Sequence, residues 1–193
     1  MRLRSTLPAL ITLLALAGCG LPGTNNAGYI PGDGVPHEIT NVADRGDPVD
    51  LSGTTLQGKS LDLSSTRGKV TVVNVWGSWC GDCVREAGFL EQAHKQLGAA
   101  VPFVGIDVRD SSADNARAYE RGHDITYPSI YSPKGTATLA FAAKVSPRTT
   151  PATLVLDTQG RVAAIIGGTV PDTLTLVEVV HDVQRMSRSE AAS

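Results

Sequence analysis

Val72-Val73-Asn74-Val75-Trp76-Gly77-Ser78-Trp79-Cys80-Gly81-Asp82-Cys83 is the stretch that decides how this chain folds. Residues 70–75 are a near-continuous β-branched run, the composition of a strand covered on both faces. From residue 81 to about residue 97 the pattern becomes helical, with Ala87, Leu90, Ala93 and Leu97 recurring on one face. Cys80 and Cys83 therefore stand where a buried strand runs into a helix. Two residues between them put both sulfurs on the first turn, close enough for a disulfide. Cys80, at the N-terminal end, meets unpaired backbone N–H groups and the helix dipole, which favour an anion. The thiolate is the nucleophile in disulfide exchange, so that position activates Cys80. Cys83, one turn deeper, is suited to resolving the mixed disulfide.

Other uses of the pair fit less well. A structural zinc site takes four ligands, and His37, His94, His123 and His181 form no close pair in sequence, so no metal is expected. A purely structural disulfide would close a very small loop and constrain the unfolded chain little. Two inert buried thiols would not be placed at a strand-to-helix corner, which is an exposed position.

Outward from the pair, residues 103–108 form a second buried strand. Ser111 with Asp114 has the spacing of a capping box, opening a helix to about residue 122. A further helical piece lies near residues 135–144. Pro151 precedes a strand at 153–156, a turn at 157–160 and a strand at 161–166. Pro171 opens a final helix with Leu176, Val179, Val180 and Val183 on one side. Upstream, residues 49–63 read as two short extended pieces around a Gln57-Gly58 turn. The order implies an α/β fold with a mixed central sheet flanked by helices and an N-terminal β-hairpin extension. Its first strands are parallel through helical crossovers and its last two form a hairpin.

The ends read differently from the middle. Arg2 and Arg4 precede an apolar run at 7–17, shorter than the ~20 residues that span a bilayer but suited to a secretory signal. It ends in Leu16-Ala17-Gly18-Cys19, which resembles the lipobox of bacterial lipoproteins, with Cys19 as the lipid attachment site. Residues 1–18 are thus expected to be a signal peptide and 19–45, rich in Gly, Pro and Asn, a lipid-anchored flexible linker. The domain is expected over 46–186, with a disordered tail at 187–193. Export would place the chain extracytoplasmically, lipid-anchored to the cell membrane, where disulfides persist. With Cys19 given to lipid, Cys80 and Cys83 are the one candidate pair. A net charge of −2 gives no reason to expect nucleic acid as a partner.

The quoted stretch resembles the active-site segment of thioredoxin-like proteins, most nearly the membrane-tethered TlpA/ResA type. The likeness extends to Thr150-Pro151-Ala152-Thr153-Leu154-Val155-Leu156-Asp157 and Gly160-Arg161-Val162. It implies the thioredoxin fold, no cofactor, and thiol–disulfide oxidoreductase activity through a redox-active disulfide, Cys80–Cys83, with Trp79, Gly81 and Asp82 around it. It further implies a cis bond before Pro151, lying against the pair, with the neighbouring backbone at Thr150 free to bind an incoming peptide. Asn74 falls where many thioredoxins carry a buried Asp, and is the usual residue in the TlpA/ResA type. Glu86, one helical turn past Cys83, matches an acidic residue of that type that tunes the cysteines. It takes over the proton handling if burial raises its pKa. Two positions depart from the pattern. Asp82 replaces a proline, which leaves the redox potential open, and Gly88 replaces a second proline, which implies a straighter helix.

The resemblance implies a reductant of exported protein disulfides. Apocytochrome c during cytochrome c maturation is the suggested substrate, with electrons from a membrane thiol–disulfide donor. An oxidase for newly exported proteins is the rival enzyme. A copper-binding chaperone is the rival of another class, since two thiolates hold Cu(I), but no Met or His flanks the pair. Asp82, a negative charge two residues from Cys80, is expected to oppose a stabilised thiolate and so to favour the reductant.

Overall fold

The computed structural model describes residues 32–192. The expected signal peptide, Cys19 and the linker up to residue 31 lie outside the described residues. Eight strands and three α-helices follow: β1 Pro36–Glu38, β2 Ser52–Thr54, β3 Ser60–Asp62, β4 Thr71–Trp76, α1 Gly81–Leu97, β5 Phe103–Val108, α2 Ala113–Gly122, β6 Ser129–Ser132, β7 Ala152–Leu156, β8 Val162–Gly167 and α3 Thr173–Ala191. Six strands make one mixed sheet in the order β1-β8-β7-β4-β5-β6, and β2 and β3 form a separate antiparallel hairpin. β4, β5 and β6 run parallel, whereas β7 and β8 are antiparallel to their neighbours. This is the thioredoxin fold with its N-terminal hairpin.

The strand period of two residues sorts β4 between two cores. Val73 and Val75 point into a layer with Val104, Ile106, Leu154, Leu156 and Phe141. Val72 points the other way, into the layer closed by Leu90 and Ala93 of α1 and by Leu176, Val180 and Val183 of α3. Asn74 and Trp76 share that second face with Val72. The alternation thus aims a polar side chain at α1, and the position of Glu86 depends on it.

Five expectations are corrected. The fold begins well before residue 46. Pro36, His37 and Glu38 pair with Ile166, Ile165 and Ala164 at the sheet edge, and a proline heading an edge strand leaves the ladder intact. Arg45 is fully buried. Its Nε donates to the Ile39 carbonyl at 2.8 Å, and its Nη1 lies 3.0 Å from Asp157 and 2.8 Å from Glu190. Glu190 also pairs with Arg161, so the expected tail from 187 is the last turn of α3, held by that ion-pair network. The cap of α2 is Ser112, whose side chain accepts from the Asn115 N–H, not Ser111. The final helix starts at Thr173 behind an Asp172 cap, two residues after Pro171. The piece near 135–144 is a 3-10 helix, Thr136–Phe141, and β6 before it had no alternating apolar signal to announce it.

Candidate active site

At the end of β4 the chain leaves the sheet through Gly77, and three contacts hold the loop that follows. The Ser78 N–H donates to Asp110 Oδ2 at 2.9 Å, and the Ser78 hydroxyl bonds Oδ1 of the same carboxylate. The Trp79 indole N–H donates to the Val108 carbonyl at 2.9 Å. A Cβ on residue 77 would stand 2.4 Å from that indole nitrogen and 2.9 Å from the Val108 oxygen, so glycine is required for the indole to reach. Cys80 then caps α1, with its sulfur accepting the Cys83 N–H at 3.1 Å. The two cysteines are joined in a disulfide, with Cα atoms 5.2 Å apart. Cys83 is fully buried and Cys80 is 4% exposed, so the corner is more covered than its place at a strand end suggested. Of the two residues, Cys80 is the less deeply buried.

The antiparallel register of β7 against β4 sets Ala152 beside Val75. Pro151, one residue earlier, therefore lies at the end of the sheet where β4 runs out into the cysteine loop. The Thr150–Pro151 bond is cis. The Thr150 hydroxyl accepts from the guanidinium of Arg109, which also lies over the Trp79 ring, 5.0 Å from its centroid. Trp79 itself is 52% exposed.

Behind the pair lies a buried polar cluster. Glu86 has no exposed surface, so it is not a solvated helix carboxylate. Its Oε1 accepts from Asn74 Nδ2 at 2.9 Å and its Oε2 from the Val170 N–H at 2.7 Å. Asn74 Nδ2 also donates to Thr153 Oγ1 at 3.1 Å. Desolvation by burial and the nearby Asp82 charge lift the Glu86 pKa from the ordinary 4.5 to about 7, against the pull of both hydrogen bonds. A carboxyl poised there can take up or give out a proton at neutral pH.

The sequence pattern of the Redoxin family matches residues 31–182. The chain belongs to the Redoxin family. It is 30% identical over 136 residues to the thiol–disulfide oxidoreductase ResA of Geobacillus kaustophilus (strain HTA426), covering 69% of this chain and 74% of that protein. Among solved structures it resembles a DsbF homologue from Corynebacterium diphtheriae, with TM-score 0.71 and 31% identity over 80% of this chain and 96% of that one. A secreted thiol-disulfide isomerase from Corynebacterium glutamicum gives TM-score 0.71 and 31% identity over 80% and 95%. This Redoxin is a thiol–disulfide oxidoreductase of the thioredoxin-like, TlpA/ResA type, and Cys80–Cys83 is its cysteine pair.

Within this Redoxin site the structure brings together Asn74, Cys80, Cys83 and Glu86 around the start of α1, with Thr150 and Pro151 at the same end of the sheet. Gly81 faces open space, with nothing within 4 Å of where a Cβ would stand. Asp82 is exposed and ion-paired with Arg85 one turn on, which weakens it as a charge opposing Cys80. The helix runs unbroken past Gly88, as the missing proline implied.

Several contacts escaped the sequence. The Tyr119 hydroxyl donates to the Cys83 carbonyl at 2.7 Å, and its ring stacks on Trp76 at 4.5 Å. Burial and the charge of Glu86 push the Tyr119 pKa up, keeping it a donor. Asp107 is fully buried beside Asp110. Burial and its neighbours Asp110 and Glu120 raise its pKa to about 9, so it is a neutral acid at pH 7. Arg109 and Asp110 come from the loop after β5, and Tyr119 comes from α2. The one sequence signal was weak: three polar residues, Arg109-Asp110-Ser111, directly after a buried strand.

Proposed function

We propose that this oxidoreductase is exported, anchored by lipid on Cys19, and reduces disulfides in exported proteins. The observation that carries the direction is the buried Glu86. Strong oxidants of this kind owe their power to a stabilised thiolate in the reduced form. Here a carboxyl that itself ionises near neutrality is buried one turn behind Cys83, and like charges suppress each other's ionised forms. The thiolate gains less, and the disulfide form is favoured. The leader ending in Cys19, and the secreted isomerase it resembles, support the extracytoplasmic place.

In the reaction, the Cys80 thiolate attacks a substrate disulfide. A bond forms between Cys80 Sγ and one substrate sulfur, and the other leaves as a thiolate that takes up a proton. Cys83, its proton passed towards Glu86, then attacks Cys80 Sγ and releases the second substrate thiol. Two electrons have moved from the protein dithiol to the substrate. A membrane thiol–disulfide donor restores the dithiol. Trp79, Gly81 and Asp82 frame the attacking sulfur, and the backbone at Thr150, next to cis-Pro151, receives the substrate strand. Apocytochrome c suits this role through the resemblance to the TlpA/ResA type.

A second reading, an oxidase, draws on Arg85 neutralising Asp82 and on the Cys83 N–H donated to Cys80 Sγ, both of which favour a thiolate. Equilibration with glutathione separates the two. The reductant should have a potential below about −200 mV, towards the ~−270 mV of thioredoxin, whereas a value above about −150 mV would make the oxidase the better reading.

A further inference from the structure

Arg109 holds a backbone φ of 58°, the left-handed region that a non-glycine residue occupies only when its surroundings fix it. The residue sits directly after β5, at the rim of the site, and its side chain is exposed. Its backbone N–H donates to the Ser132 carbonyl at 3.4 Å, while the guanidinium lies over Trp79, the neighbour of Cys80, and donates to Thr150, the neighbour of cis-Pro151. One cation thus bridges the two segments that flank the reacting sulfur.

Its charge is uncompensated. Among the described residues no carboxylate pairs with Arg109. The adjacent Asp110 is buried and turned to Ser78, and Asp82 is taken by Arg85. Arg148 is exposed and stands two residues before Thr150, and among the described residues it has no ion pair either. A guanidinium carries five N–H donors in a planar fork, and Thr150 uses one nitrogen, so donors remain for a carboxylate.

We propose that Arg109 is a specificity-determining residue, reading a carboxylate beside the cysteine of a substrate segment laid along Thr150. The favoured substrate is an extended polypeptide with an acidic side chain next to its disulfide. The chain as a whole is net negative, but charges more than about 8 Å away are screened at physiological ionic strength, so the local cation decides. The proposal rests on exchange beginning at Cys80.

The test uses the reduced full chain and two peptides, identical except for Glu or Lys next to a single cysteine. Each peptide carries a neutral 2-thiopyridyl disulfide. Cys80 forms a bond to the peptide sulfur, 2-thiopyridine leaves and is read by absorbance, and Cys83 releases the peptide thiol. Exposed ion pairs of this kind support a rate ratio of about two- to five-fold in favour of the Glu peptide. The ratio should fall with added salt, drop to that of the uncatalysed reaction in Arg109→Gln, be largely kept in Arg109→Lys, and invert in Arg109→Glu. If Arg109→Gln slows both peptides equally and leaves the ratio unchanged, Arg109 merely braces Trp79 and the proposal is overturned. If the wild-type protein reacts with neither peptide, exchange through Cys80 fails along with it.

Discussion

Glu86→Gln keeps the shape of the side chain and removes its charge, and its effect on stability can be worked out in advance. In the oxidised protein the Glu86 carboxyl titrates at about 7, against 4.5 in the ordinary case. Below pH 4.5 both folded and unfolded chains hold the proton and the group contributes no pH dependence. Between 4.5 and 7 the unfolded chain has released it and the folded chain has not. The folded state then binds more protons, and stability falls by up to ~1.36 kcal/mol per pH unit. Above about 7 both are ionised and the loss is complete, at ~3 kcal/mol in total. Gln carries none of this dependence. It can still accept the Val170 N–H, and the Asn74 amide can turn to offer its oxygen to the new NH2 group, at a pH-independent price of about 1 kcal/mol. Urea unfolding of the two oxidised proteins should therefore show the variant gaining on wild type by ~3 kcal/mol between pH 4 and pH 8. A difference that stays constant across that range would refute the buried, proton-holding Glu86. In the reduced protein the same substitution should move the alkylation profile of Cys80 to lower pH, because a growing negative charge behind the pair is gone.

Arg45→Ala should destabilise the protein by about 3 kcal/mol in chemical denaturation, the lower end for breaking a buried ion pair, since Asp157 keeps Arg161 and two backbone N–H donors; a loss under about 0.5 kcal/mol, as at a surface site, would return residue 45 to a flexible tether. Cys19→Ser should leave the fold and exchange in solution intact while blocking lipoprotein processing, and an intact mass for the mature protein without a lipid increment would remove the anchor.

The strand-to-helix corner, α1 and the two central parallel strands were legible in the sequence because each carries an unbroken periodic signal. The cysteine pair was legible because its spacing and its place on the first turn have few other uses. What escaped depends on contacts between distant segments. β1 is three residues long and has no pattern of its own; its pairing with β8 makes it a strand. Arg45 and Glu190 read as polar ends because their burial comes from each other and from Asp157, far along the chain. Glu86 was singled out by its match to an acidic residue of the TlpA/ResA type, and its burial follows from Asn74 and Val170 meeting it from β4 and from the segment before α3. Arg109 and Asp110 left almost no trace, since a charged residue after a strand is ordinarily a solvated turn.

Trapping with Cys83→Ala, followed by peptide mapping, asks directly which sulfur begins the exchange. With the resolving thiol gone, a substrate disulfide should give a stable mixed disulfide carried on Cys80, and Cys80→Ala should form none. An adduct on Cys83 in the Cys80→Ala protein, formed at a rate like that of wild type, would contradict the assignment.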